Sequence, residues 1–184
     1  MTRLIFLGAA GSGKTTQAHQ LSEILKMPAI SSGEMLRSAI EFGLELGDEV
    51  RRYVESGELV PDELMISLLR TILTHPNFER CWAIEGYPRT AFQAEELDFL
   101  LEELNQPLDL AIYLKVSEDI LMQRSLARGD YDDTPELIHK RLQLFQERTT
   151  PILDYYEHKK KLVTIDGSLE PASITAKIQQ KLAG

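Results

Sequence analysis

The eight residues Gly8-Ala9-Ala10-Gly11-Ser12-Gly13-Lys14-Thr15 match the pattern G-x-x-x-x-G-K-[ST] at every fixed position. The apolar run Arg3–Leu7 before them reads as a buried strand ended by glycines. Residues 13–26 after them carry Ala18, Leu21, Ile24 and Leu25 at helical spacing. A strand, a glycine-rich turn and a helix in that order predict an α/β fold and a phosphate site. Glycines let the backbone curl until successive N–H groups point inward at phosphate oxygens. The helix adds its positive N-terminal end, and Lys14 adds a mobile point charge. The Thr15 hydroxyl can ligate or orient Mg²⁺. Gly8, Gly11, Ser12, Gly13, Lys14, Thr15 and Thr16 are therefore the candidates for a nucleotide phosphate cradle. ATPases, GTPases and small-molecule kinases all share this motif, so the acceptor must be read elsewhere.

The remaining pattern alternates strands with helices. Ala29-Ile30, residues 81–84, 110–114 and 162–165 read as further strands. Helices are expected over 33–41, 46–55, 61–73, 91–104, from Ser117 onward, from Pro135 as one long helix to 158, and over 171–182. Strands that are apolar throughout imply a five-stranded parallel sheet sandwiched by helices. Ligands of such sheets gather beyond the carboxyl ends of the strands. No apolar run approaches the ~20 residues needed to span a bilayer.

Length and charge narrow the function. The 184 residues suit a single domain able to bury about 70% of its unfolded surface. A net charge of −9 argues against broad nucleic-acid or anionic-membrane binding, so cations for phosphate must be gathered locally. The one cysteine, Cys81, lies in an apolar stretch and reads as a small core residue; a reducing cytoplasm is the expected setting. No exposed heptad or edge signal points beyond a monomer.

Several further segments stand at suggestive places. Ile30-Ser31-Ser32-Gly33-Glu34-Met35-Leu36-Arg37 follows the second strand, and Gly57-Glu58-Leu59-Val60-Pro61 precedes a helix. Glu85-Gly86-Tyr87-Pro88-Arg89-Thr90, with Gln93, ends the third strand. Arg124, Arg128 and Arg141 flank the polar break Gly129-Asp130-Tyr131-Asp132-Asp133. With the phosphate loop, and in this order, the set resembles the adenylate kinase family over essentially the whole chain.

That resemblance implies a fold, a reaction and residue roles. Residues about 31–60 would form a helical flap over AMP, and about 125–135 a short lid over ATP. Ser32, the backbone of Glu58, Leu59 and Val60, and the Gly86-Tyr87 turn would meet the acceptor nucleoside. Arg37, Arg89 and Arg141 would hold phosphate, since an arginine fork matches two phosphate oxygens at once. Gln93 would read adenine through its amide. Arg124 and Gly167 would lie against the ATP base, and Arg128 with Arg141 would touch the transferring phosphates. The catalytic set is then Lys14, Arg89, Arg128 and Arg141, with Glu85 orienting Mg²⁺ through water and Thr15 as a further Mg²⁺ contact. The expected reaction is Mg-dependent, in-line transfer between ATP and AMP. The large zinc lid of some relatives is excluded by the missing cysteines.

Each residue alone has a plainer reading. A single helix arginine is usually a solvated surface group, Ser32 reads as a helix cap, Gln93 as a surface residue, and Gly167 as a turn glycine. Three positions depart from the family. Thr15-Thr16 replaces the usual glycine-threonine pair after the lysine, Glu85 replaces an aspartate, and Asp130 stands where an arginine is expected. Thr90 replaces the asparagine usual in uridylate- and cytidylate-type relatives, which favours AMP. The alternatives left open are a kinase for another nucleoside monophosphate and a nucleotide-binding regulatory protein with weakened transfer.

Overall fold

The structure, a computed structural model, describes residues 2–43, 45–130 and 133–183. Strands β1 (Arg3–Leu7), β2 (Ala29–Ser31), β3 (Trp82–Glu85), β4 (Leu110–Lys115) and β5 (Leu162–Asp166) form one sheet in the order β2-β3-β1-β4-β5. Every pairing is parallel. The expected five-stranded parallel sheet with helices on both faces is the architecture found.

After Arg3, β1 is apolar from Leu4 to Leu7 because it is the middle strand and both its faces are covered. Leu4 and Phe6 pack with Ala18 and Leu21 of α1 (Lys14–Leu25) and Ile174 and Ile178 of α9 (Pro171–Ala183). Ile5 and Leu7 face the other way, toward α4 (Asp62–Leu73), α5 (Ala91–Glu103) and α8 (Pro151–His158). Burial of each such side chain contributes about 1.5–3 kcal/mol, so the sheet is held firmly under its loops. After β1 the chain leaves on the α1 face, and after β3 it leaves on the α5 face. Their carboxyl ends therefore open a crevice, where a parallel sheet places its ligands.

Helices α2 (Ser32–Glu41) and α3 (Glu45–Ser56) pack as a hairpin above that crevice, with Leu36, Ile40 and Val50 continuous with the core. α6 (Glu118–Arg128) and α7 (Pro135–Leu144) close the opposite side, packing Leu121, Ile138 and Leu142 around Ala9 of the glycine-rich loop. No helix among the described residues is long and apolar enough to cross a membrane.

Four local expectations are corrected. The long helix from Pro135 to 158 is broken: α7 ends at Leu144, a π-type turn spans Phe145–Thr149, and α8 begins at Pro151. Pro151 has no N–H to continue the ladder, and Thr150 N–H bonds back to Phe145 O at 2.9 Å, five residues away. Ser117 stands at the N-cap of α6 without a side-chain capping bond; Glu118 and Asp119 supply first-turn negative charge instead. Ser31, not Ser32, caps α2, its Oγ accepting from Glu34 N–H. Cys81 lies before β3 and is half-buried rather than in the core.

Candidate active site

Every site residue nominated from the sequence lines one cavity of about 520 Å³ beyond the carboxyl ends of β1 and β3. The floor is the loop 8–13, which climbs from β1 to the first turn of α1. Gly11 has φ +82°, and a Cβ there would come within 2.6 Å of Leu121 O, so only glycine fits. Ser12 Oγ is buried without a hydrogen-bond partner, as expected of a hydroxyl that serves a ligand. Lys14 Nζ donates to Ala9 O at 2.8 Å. Burial pushes this ammonium down to about 8, with Arg89 and Arg128 adding to the shift and Glu85 opposing it.

Glu85 ends β3 opposite both Phe6 of β1 and Ser31 of β2. Its Oε1 accepts from Thr15 Oγ1 at 3.0 Å and from the Ser31 hydroxyl at short range. The longer acid therefore reaches two hydroxyls, one on the phosphate loop and one at the base of α2. Its backbone then turns sharply at Gly86, with φ +81°, where a Cβ would collide with Ser32 Oγ. Ser32 Oγ is itself buried and unpartnered, facing the cavity.

The turn delivers Arg89. Its Nε donates to Gly86 O at 2.8 Å, and its carbonyl accepts from Thr149 Oγ1 at 2.8 Å. Burial lowers the guanidinium below its ordinary value, as do Arg141 and Arg37 nearby, against Glu85. Gln93, only 2% exposed, is no plain surface residue. Its Oε1 accepts from Arg89 N–H at 2.7 Å, and its Nε2 donates to Asp62 Oδ1 at 2.6 Å. Thr90 caps α5 through Gln93 N–H.

The opposite wall carries the remaining cations. Arg128 grips Asp133 with Nε and Nη2 at 2.8 and 2.7 Å, and Arg141 Nη1 donates to the same carboxylate at 3.2 Å. Burial alone would raise the Asp133 carboxyl, but the Arg128 bonds, the Asp130 N–H and Arg141 hold it below the usual value. Arg124 donates to Gly167 O at 2.8 Å and Ser168 O at 3.3 Å, fixing α6 against the turn after β5. Arg37 and the segment 57–60 complete the flap side, and Lys140 of α7 ties that segment down through Ser56 O at 2.8 Å. Tyr131 and Asp132 of the expected lid lie outside the described residues.

The sequence pattern of the family "Adenylate kinase" matches residues 6–161. Adenylate kinase 2 of Nostoc sp. strain PCC 7120 is 49% identical over 180 residues, covering 98% of each chain. Adenylate kinase 2 of Synechocystis sp. strain PCC 6803 is 49% identical over 180 residues, covering 98% of this chain and 99% of its own. Adenylate kinase of Cyanothece sp. strain PCC 7425 is 43% identical over 183 residues, with 97% and 94% covered. The chain belongs to the adenylate kinase family.

Adenylate kinases are nucleoside monophosphate kinases, and their reaction is the reversible conversion of ATP and AMP to two ADP. The family is generally Mg-dependent. The donor set here fits a hard cation, because the Glu85 carboxylate and Thr15 hydroxyl meet at the edge of the phosphate loop. Four residues that hold cavity-lining groups in place have no role assigned from the sequence: Ser31 on Glu85, Asp62 on Gln93, Asp133 on Arg128 and Arg141, and Thr149 on the Arg89 carbonyl. Ser31 and Asp62 carry only ordinary helix-start signals, and Thr149 sits where a continuous helix was expected.

Proposed function

We propose that the chain transfers the terminal phosphoryl group of Mg·ATP to AMP by direct in-line displacement, through the residues that line this cavity. The observation that carries the reading is the convergence of two cation sets on one cavity. Lys14 stands on the phosphate loop with Arg128 and Arg141 on the adjoining α6–α7 wall, and Arg37 and Arg89 stand on the side of the flap and the β3 turn.

In this reading the loop 8–13 and Lys14 hold the β- and γ-phosphates, with Thr15 and Thr16 at the start of α1. Arg37 and Arg89 orient the AMP phosphate, and Ser32, Glu58, Leu59, Val60, Gly86, Tyr87 and Gln93 surround its nucleoside. Arg124 and Gly167 flank the ATP base. An AMP phosphate oxygen attacks the γ-phosphorus while the bond to the β–γ bridging oxygen breaks, leaving two ADP. Lys14, Arg89, Arg128 and Arg141 spread positive charge over the equatorial oxygens, and no side chain acts as nucleophile. Glu85, through water, and Thr15 would hold Mg²⁺, which would supply further neutralisation of the phosphate charge. The flap, residues about 31–60, and the lid, about 125–135, exclude water when both nucleotides are bound. A single chain supplies the whole cavity, which supports a monomer; one cysteine in 184 residues supports a reducing, cytoplasmic setting.

The test is ADP formation from ATP and Mg²⁺ with AMP, UMP, CMP or GMP as acceptor. Preference for AMP is the expected result. Preference for another acceptor removes Gln93 and Ser32 from the base-reading role. Tight binding of both nucleotides without transfer makes the chain a nucleotide-binding regulator.

A further inference from the structure

We infer that Asp62 is a specificity-determining positioning residue, which locks the Gln93 amide in the orientation that accepts adenine and refuses a 6-oxopurine. The inference rests on the proposal that Gln93 faces the acceptor base. It adds a residue that does not line the cavity at all.

A glutamine amide is nearly symmetric in shape but opposite in chemistry at its two ends. One end offers two N–H donors, and the other two acceptor lone pairs. A half-turn exchanges them, and that exchange decides which purine fits. Adenine presents an amino donor beside the N1 acceptor. A 6-oxopurine presents an oxygen acceptor beside an N1–H donor. Each edge can pair with the amide in one orientation and clashes with it in the other.

The structure removes that ambiguity at Gln93. The Arg89 backbone N–H can only donate, and it meets Oε1 at 2.7 Å. The Asp62 carboxylate offers only acceptors, and it meets Nε2 at 2.6 Å. Turning the amide over would set N–H against N–H at one end and oxygen against carboxylate at the other. One N–H and one lone pair remain for the base. Of the two restraints, the charged one is the stronger, since hydrogen bonds to ionised groups outweigh neutral ones. Asp62 is itself held, standing in the first turn of α4 behind the Pro61 N-cap, where the helix end favours an acid. The device therefore links the end of the flap to the start of α5 behind the base pocket.

The experiment compares AMP with inosine monophosphate, by kcat/KM as acceptors and by calorimetric binding to the free protein. Asp62→Asn keeps the shape but can present either an acceptor or a donor, and Asp62→Leu presents neither. Both are expected to lower the AMP-to-IMP ratio roughly tenfold, through KM more than kcat. Gln93→Leu is expected to collapse the ratio, and Asp62→Asn to have no further effect on it in that background. An unchanged ratio in Gln93→Leu means that Gln93 does not read the base, and the underlying reading fails. A collapsed ratio in Gln93→Leu with an unchanged one in both Asp62 variants overturns the lock alone. A change caused by Asp62→Asn even in the Gln93→Leu background also overturns it, because the carboxylate then acts by another route. Thermal unfolding of each variant separates loss of fold from loss of discrimination; the near-isosteric Asp62→Asn keeps the test available if Asp62→Leu does not fold.

Discussion

The Asp130 carboxylate of the loop after α6 lies 3.7 Å from the Arg37 guanidinium of α2, and so spans the two sides of the cavity. The same oxygen is 3.1 Å from Arg128 Nε. An acid thus stands between an arginine proposed for the acceptor phosphate and one proposed for the transferring phosphates. It occupies the position where an arginine was expected, and its charge competes with the phosphate that Arg37 would hold.

Asp130→Ala is accordingly expected to lower KM for AMP, roughly two- to fivefold, the range of a partly exposed ion pair. Asp130→Arg adds a cation beside the phosphates and is expected to raise turnover or leave it unchanged. Steady-state kinetics with varied AMP check both. A substantial loss of turnover in Asp130→Arg would show that the lid lies elsewhere.

Lys14 sets a pH limit on nucleotide use. Without nucleotide its ammonium loses the proton as pH rises through about 8. Phosphates favour the charged form, so kcat/KM for ATP is expected to be full below that value and to fall above it. The sign for stability is the reverse. Between about 8 and the ordinary value of 10.5, the unfolded chain binds more proton than the folded one, so this group's contribution to stability rises with pH. A kcat/KM profile for ATP without an inflection near 8 would refute the assignment.

Ser31 couples the flap to the acid at the end of β3. Its hydroxyl donates to Glu85 and accepts from Glu34 N–H at the start of α2. Ser31→Ala is expected to cost about 1–2 kcal/mol, lowering Tm by roughly 2–8 °C. It should also raise the Mg²⁺ concentration needed for half-maximal activity, because Glu85 loses one of the two hydroxyls that orient it. Unchanged Tm and unchanged Mg²⁺ dependence together would remove Ser31 from both roles.

Arg89 tests the arginine clamp. Its fork is buried beside Gly86 and cannot be matched by the single ammonium of lysine. Arg89→Lys is expected to lower turnover about 10²-fold or more while the protein stays folded. Single-turnover kinetics alongside circular dichroism distinguish this from unfolding.

How much was legible depended on how local each signal was. The phosphate loop is read directly, because glycines, lysine and threonine at fixed spacing specify a backbone shape within eight residues. The central strands of the sheet are equally plain, since a strand covered on both faces is mainly apolar, as Leu4–Leu7 and Trp82–Ile84 are. The break between α7 and α8 was hidden. Residues 144–151 contain good helix positions, and only the proline marks the point where the ladder changes. That π-type turn brings Thr149 to Arg89 O, a contact 60 residues apart in the chain.

Ser31, Asp62 and Asp133 show the same division. Each is a polar residue at the mouth of a helix, where sequence alone sees an ordinary cap or first-turn acid. Tertiary packing decided that Ser31 reaches Glu85, that Asp62 reaches Gln93, and that Asp133 anchors both Arg128 and Arg141. The sequence by itself determined the fold class, the phosphate cradle and the family, because those rest on short-range spacing and on apolar periodicity. Which hydroxyl, carboxylate and guanidinium pair across the crevice was decided only in three dimensions. Such pairs join residues distant in the chain, and their partners follow from the parallel sheet order and the helices it carries, not from any local pattern.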